Sequence, residues 1–545
     1  MRPPLLGAGA AKRGFVAPTA LLVLTLLAYF PAYRAGFIWD DNVYVTNNPA
    51  LRSAEGLGRI WTDPQLIRQY YPVTLSTFWV EHQLVGNNPA LYHATNVVLH
   101  ALNAIALRSV LGLVGIPGAT LTAALFALHP VHVESVAWVT ERKNVLSAFL
   151  YLLSAFFFLR VRLRDGVSGS RAPRFEYTFS LLAYVAALLS KSVTCSLPVA
   201  LFLTLWWKRG RILRKDAVLL TPFLALGLLL GLLTVHFERA YVGAQGGEWS
   251  FSIAEKIVLA GKIFWFYLGK LAWPHPLVFI YPRWKTPFAS WSGLYPAAAL
   301  GAIAAAWFFR RRLGRGPATA ALFFLCTLVP ALGFFHVYPM RFSFVADHFQ
   351  YLASIGVLAL AGALASRGPA AARAILAALV IVFGVFTYQQ ARIYRDAETL
   401  WSVTIESNPD AWLARVNLGD LLMRRGKVDE AIEQLEAALR TEPRETTSLK
   451  NLAWIRAAFP EPEYRDPAAA LTMAREACVL THYKDPAALD ILAAALAANG
   501  RFDEAITTGA RALQIAVTHG RSRLAGEIEA RLALYRSGQP AWAAP

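Results

Sequence analysis

Residues 15–42 read FVAPTALLVLTLLAYFPAYRAGFIWDDN. The first part, Phe15 to Tyr33, is uncharged and long enough to cross a bilayer, which needs ~20 apolar residues. Directly after it, Phe37-Ile38-Trp39-Asp40-Asp41-Asn42 places two adjacent carboxylates at the water end of a membrane helix. Such a pair is costly if buried, ordinary if solvated and useful if it faces a reactant. A solvated pair capping the next helix is the plain alternative. The choice depends on what else the chain delivers to that side of the membrane.

The whole chain supports the membrane reading. Of its 545 residues, 56% are hydrophobic and 16% charged, and the mean hydropathy is +0.41. This describes a polytopic membrane protein with a soluble part attached, not one soluble domain. The net charge of +18 comes from short Lys/Arg clusters between apolar runs, with no basic stripe interleaved with exposed aromatics, so nucleic acid is not an expected partner. Cys195, Cys326 and Cys478 lie too far apart for a disulfide framework or a Cys-based zinc site. The first apolar run exceeds a signal-peptide core and lacks a small-x-small cleavage site, which predicts an uncleaved anchor.

The basic clusters at Lys12/Arg13, Arg108, 160–174, 208–215, 310–315 and 367–373 are assigned to the cytoplasmic side. Between them lie about eleven expected crossings, each near the length a bilayer needs: 15–34, 91–108, 111–129, 144–160, 175–191, 193–208, 216–236, 291–309, 317–338, 345–365 and 372–390. The membrane domain is thus expected over 1–392, with the N-terminus inside. The segment 253–271 carries Glu255, Lys262 and Lys270 on one helical face and is expected to lie in the outer interface.

With that topology the unusual polar residues collect on the outer face. The loop 35–90 holds Asp40 and Asp41, and the next holds His129, His132, Glu134, Glu141, Arg142 and Lys143. Lys191 follows between two short apolar runs, and Arg341, Asp347 and Tyr351 open the tenth crossing. His129, His132 and Glu134 match a metal set by spacing, but Pro130 breaks a regular helix there, so structural hydrogen bonds and contacts to a phosphate or sugar stand beside the metal reading. Arg142 and Lys143 fit either snorkelling at the interface or a clamp on an anionic headgroup. Lys191 has little acidic sequence nearby, and a lysine at that depth is a functional candidate. Arg341 and Asp347 fit an internal ion pair equally well.

After Tyr388 the pattern changes to amphipathic helices with a repeat. Gly426-Lys-Val-Asp-Glu-Ala-Ile returns as Gly500-Arg-Phe-Asp-Glu-Ala-Ile. The small and apolar positions around each copy fit the tetratricopeptide template. About three such repeats are expected over 396–545, placed outside the membrane.

Taken together, Phe37 to Asn42, "HPVHVESVAWVTERKNVLSA" from His129, "LSKSVTCSLPVALFL" from Leu189 and "ADHFQYLASIG" from Ala346 resemble the transmembrane and tetratricopeptide-repeat-containing (TMTC) O-mannosyltransferases and their bacterial relatives, of the glycosyltransferase C (GT-C) superfamily. The chain departs from the family pattern at His348, where Arg or Tyr is expected, and at Ala353, where Pro is expected. The resemblance implies an all-α, GT-C-like membrane domain in a bacterial inner membrane. It further implies an inverting transfer of a hexose such as mannose from a polyprenyl-phosphate donor to a hydroxyl. Protein Ser or Thr is the expected acceptor, presented by the repeats on the extracytoplasmic face. On the residues, Asp40 is the expected base, with Asp41 orienting the acceptor or the base. Arg142, Lys143, Lys191 and Arg341 are the cations for the donor phosphate, and His129, His132, Glu134, Glu141, Asp347 and Tyr351 are substrate contacts. No cofactor is expected, and a divalent metal is left open. Two alternatives remain: a non-catalytic scaffold that recruits envelope proteins through its repeats, and an enzyme whose acceptor is another glycan or lipid.

Overall fold

The computed structural model describes residues 8–64, 66, 69–163, 172–237, 251–284, 291–335 and 337–543. Among these, every regular element is a helix. The chain divides into two compact units, 1–400 and 401–545, so the boundary falls a few residues beyond the expected 392–396.

The first unit carries an apolar helix at each expected crossing, but with different bounds. Pro89–Val114, Val139–Leu163, Arg214–Phe237 and Ala370–Arg395 are each long and apolar enough to span a bilayer. The others are shorter. In place of a span over 111–129, the preceding helix continues to Val114, stops at Gly115 with φ +74°, and a ten-residue helix, Ala119–Leu128, follows. A left-handed backbone at Gly115 costs no Cβ clash, which is why the turn falls there. The expected spans 317–338 and 345–365 also shrink, to Gly316–Leu328 and Ser354–Arg367. Pro330 and Gly333 end the first, and residues 345–353 form an irregular approach to the second. Residues 164–171 of one basic cluster lie outside the described residues.

The chain is a multi-pass membrane protein. Its helix Arg142–Leu163 packs between Pro89–Val114 and Ala172–Ser190, and Gly316–Leu328 packs on Leu197–Arg209 and Ser354–Arg367. The expected outer loop 35–90 is largely helical, with Ala54–Thr62 and Pro72–Val85 packed around Leu51, Ile60, Leu75 and Phe78. The segment expected at the interface is the helix Ile253–Ala272, begun by a Ser252/Glu255 capping box.

The second unit is a tetratricopeptide-repeat solenoid. Its helices pair as 412–424 with 428–441, 446–458 with 467–480, and 486–498 with 502–518, followed by 522–536. The two matching glycines, Gly426 and Gly500, have φ +74° and +73°. Each ends one helix and turns the chain into the next. Ala431, Ala474, Ala505 and Ala512 are fully buried, as close helix pairing requires.

Candidate active site

The Asp pair divides its roles. Asp41 is fully buried; its Oδ2 accepts from Ile38 N at 2.9 Å, and its Oδ1 accepts from Thr140 N at 2.8 Å and Thr140 Oγ1 at 2.6 Å. All three donors belong to the protein, so Asp41 latches the first loop to the turn that precedes Arg142. Burial pushes its pKa up to about 7, Asp40 adds to the rise, and the three donors pull it down. Asp40 is half-buried, beside Trp39, whose φ of +41° is left-handed for a bulky residue. That conformation costs ~1–3 kcal/mol and persists only where the surroundings enforce it. Here Trp39 stacks on Trp138 with centroids 5.3 Å apart, and Phe279 meets both rings edge-on.

Beyond the latch, the turn continues into an ion cluster. Glu141 receives Lys143 Nζ at 3.0 Å and Lys191 Nζ at 3.1 Å, with His348 Nε2 at 4.0 Å. The sequence offered no acidic partner for Lys191; its partner lies 50 residues back, at Glu141. Lys143 also sits over the rings of Tyr44 and Trp138, 5.5 and 5.8 Å from their centroids. Two ammonium groups share one carboxylate, so this trio retains one positive charge. Glu134 holds His348 by two bonds, from the backbone N–H at 3.0 Å and from the Nδ1 position at 2.9 Å. Asp347 receives the Tyr281 hydroxyl at 3.0 and 3.1 Å, and burial, then the Glu134 charge, hold its carboxyl well above the usual carboxylate range.

Lys143, Lys191, Glu141 and His348 line one end of a cavity of about 440 Å³. Its other wall is apolar: Leu224, Leu228 and Leu232 on the helix Arg214–Phe237, together with Gly227 and Gly231. These leucines are 50–65% exposed, so the wall opens to the side of the molecule. Gly227 is needed there, because a Cβ would overlap the Tyr184 hydroxyl and crowd the Cys195 backbone. The cavity is charged at one end and oily at the other.

Several expected contacts are elsewhere. Arg142, expected as a phosphate clamp, is wholly buried: it donates to Asn96, to Glu81 at 3.1 Å, to Thr77 at 3.3 Å and to Tyr92 O at 2.8 Å, with Phe78 beneath it. The first turn of the helix sends Arg142 inward and Lys143 to the cavity, since successive residues diverge by about 100°. His129 Nε2 binds Leu271 O at 3.1 Å; His132 donates from Nδ1 to Phe126 O at 2.8 Å and meets Ser354 Oγ at 3.0 Å. Both rings are interior, which favours the structural alternative. Among the described residues no three His, Cys, Asp or Glu side chains group as a metal set. Tyr351 is also interior; its hydroxyl meets His100 Nδ1 at 2.6 Å and Asn103 Nδ2 at 3.0 Å. Arg341 is half-buried, on a turn whose neighbours Val337 and Pro339 line the cavity. Sequence reading placed the stretch from Tyr281 to Trp284 on the outer face but gave Tyr281 no role, and it did not single out Thr140, Trp138 or the leucine wall. The sequence signal that could have found the wall is the pair Gly227 and Gly231, spaced about one helical turn apart.

Residues 387–458 match the tetratricopeptide repeat family model. Mouse Protein O-mannosyl-transferase TMTC1 is 34% identical over 171 residues, 29% of this chain and 18% of that protein. Over that segment the chain is similar to the TMTC proteins. Human Protein O-mannosyl-transferase TMTC4 is 27% identical over 193 residues, 31% of this chain and 26% of that protein. The matched segments thus span about a fifth to a quarter of these relatives' length. Among solved structures, ArnT from Cupriavidus metallidurans, bound to undecaprenyl phosphate, aligns over 85% of both chains with 14% identity and a TM-score of 0.38.

Proposed function

We propose that this protein is a GT-C-type membrane glycosyltransferase. It takes a hexose such as mannose from a polyprenyl-phosphate donor and passes it, with inversion, to a hydroxyl on a protein Ser or Thr. The reaction is assigned to the extracytoplasmic face of a bacterial inner membrane, with the repeats holding the acceptor segment.

The observation that carries the proposal is the cavity with Lys143 and Lys191 at its polar end and Leu224, Leu228 and Leu232 along its oily wall. A polyprenyl phosphate has the same division, one anionic group on a long hydrocarbon chain. The single surplus positive charge of the Lys143–Glu141–Lys191 trio matches a phosphodiester monoanion. As the glycosidic bond breaks, charge builds on the departing phosphate, where fixed cations in a water-poor site act most strongly. Asp40 is the proposed base, taking the proton as the acceptor oxygen attacks the anomeric carbon. Asp41, with every oxygen occupied, is a positioning residue that fixes the Trp39–Asp40 backbone.

The test is transfer of labelled hexose from polyprenyl phosphate to a Ser-containing peptide in proteoliposomes. Asp40→Asn should cut turnover by ~10²–10⁴ while leaving donor binding near normal. Lys191→Met should weaken donor binding as well as rate. Near-normal transfer by Asp40→Asn would remove the first loop as the source of the base. Undiminished donor binding by Lys191→Met would separate the cavity from the donor.

A further inference from the structure

Two helices that line the first cavity also wall a second one, of about 560 Å³. The helix Arg142–Leu163 gives Lys143 and Asn144 to the first and Tyr151, Leu152, Ala155 and Leu159 to the second, the nearest of these, Asn144 and Tyr151, lying about 10 Å apart at ~1.5 Å per residue. The helix Leu197–Arg209 contributes Pro198 to the first and Leu197, Ala200, Leu201, Thr204 and Lys208 to the second. The second cavity exists because the facing helices present small residues: Ala155, Ala200, Ala320, Gly356, Ala359 and Ala363. Its interior is apolar, and its rim carries Lys208, Arg315 and Arg367 without any Asp or Glu. Lys208 donates to Val114 O at 2.9 Å and Arg315 to Trp206 O at 3.0 Å, both neutral acceptors. The nearby Asp216 is already taken by Arg162 at 2.6 Å and Arg209 at 3.1 Å. Among the described residues, no carboxylate pairs with the three rim cations.

We propose that this second cavity binds an anionic phospholipid, with one acyl chain between the helices and the headgroup phosphate at Lys208, Arg315 and Arg367. Basic groups alone would suit orientation of the helices during insertion. An apolar, helix-lined volume opening at those groups additionally fits the hydrocarbon chain that a lipid headgroup brings with it. The site is separate from the proposed donor site and does not depend on the transferase reading.

Native mass spectrometry of the full chain, released from nanodiscs of equal dioleoylphosphatidylglycerol and dioleoylphosphatidylcholine, tests it. The two lipids share their chains and differ in headgroup charge. The wild type should retain phosphatidylglycerol preferentially. Arg315→Gln and Arg367→Gln, both outside the helix-packed interior, should each lower that retention about fivefold and leave phosphatidylcholine retention as it was. Ala359→Phe, which fills the cavity, should lower phosphatidylglycerol retention with all three cations present. Lys191→Met, at the other cavity, should not change it. Equal retention of the two lipids by the wild type, or unchanged phosphatidylglycerol retention in the Arg315→Gln/Arg367→Gln double variant, would overturn the proposal. So would displacement of the lipid by millimolar sn-glycerol 3-phosphate, since the chain would then contribute nothing.

Discussion

Replacing Glu141 by Gln should make the protein less stable and its grip on a lipid phosphate stronger. Glu141 lies 3.0 and 3.1 Å from the ammonium groups of Lys143 and Lys191, and its side chain is 1% exposed. At an effective dielectric near 20, one such pair has a gross attraction on the order of 5 kcal/mol, most of it offset by the desolvation of both ions. Removing the shared carboxylate leaves two buried ammonium groups facing a neutral amide, and uncompensated burial of that kind costs ~3–5 kcal/mol. Burial and the Lys143 charge already pull the Lys191 pKa down with Glu141 in place, so without that carboxylate Lys191 holds its proton only where an added phosphate supplies what Glu141 did. The assay is thermal unfolding of Glu141→Gln and wild type in detergent, with and without polyprenyl phosphate. The variant should unfold earlier without lipid and recover more than the wild type when lipid is added, because a ligand that binds only the folded form stabilises it according to its affinity. If the lipid shifts the variant by the same amount as the wild type, or less, the trio does not meet a phosphate.

Asp41→Asn should destabilise by ~1–3 kcal/mol, because an amide NH2 must face a backbone N–H in either flip. Its pKa is raised in the fold to about 7, so the native state holds a proton that the unfolded chain, at ~3.9, has lost. The stability Asp41 contributes is therefore complete below about pH 4 and is lost as pH rises through 7, and the penalty of Asp41→Asn should shrink over that window. Denaturation at a series of pH values checks this; a penalty that grows with pH would place the Asp41 pKa below its ordinary value. Arg142→Met should cost ~3–5 kcal/mol by stranding buried Glu81, with polyprenyl-phosphate affinity of the folded fraction unchanged; a loss of affinity would return Arg142 to the donor. Truncation after Leu400 should leave donor cleavage in place and abolish transfer to protein acceptors, measured with labelled donor in proteoliposomes. The cut must lie beyond Arg395, whose carbonyl accepts from Gly36 N at 2.8 Å.

What the sequence disclosed followed the range of the interactions. Repeats are local and periodic, so Gly426 and Gly500 could be read with their neighbours from spacing alone. The apolar runs gave helix positions well and helix ends poorly, since Gly115 and Pro330 end helices inside stretches that remain hydrophobic. The polar residues were legible as a set but not in their individual parts. Asp41 reads locally as a helix cap, and only Thr140, 99 residues on, reveals it as a latch. Arg142 and Lys143 are adjacent and alike in charge; which one faces the cavity depends on where the helix begins, a matter of one residue. Lys191 looked unpaired because its partner is distant in sequence.

The partners of Arg142 have a consequence for how the molecule is made. Thr77, Glu81, Tyr92 and Asn96 all precede it in the chain. As the ribosome delivers the polypeptide from its amino end, the guanidinium finds its acceptors already synthesised, and that charge can be neutralised while its helix is entering the bilayer. The cavity groups follow the opposite schedule. Glu141 waits 50 residues for Lys191, and Glu134 waits 214 residues for His348. The scaffold can therefore close early, while the site it supports is completed only when the segment before the Ser354–Arg367 helix arrives. A chain stalled or cut before that point would be inserted and charge-compensated at Arg142, and still lack the wall that His348 provides.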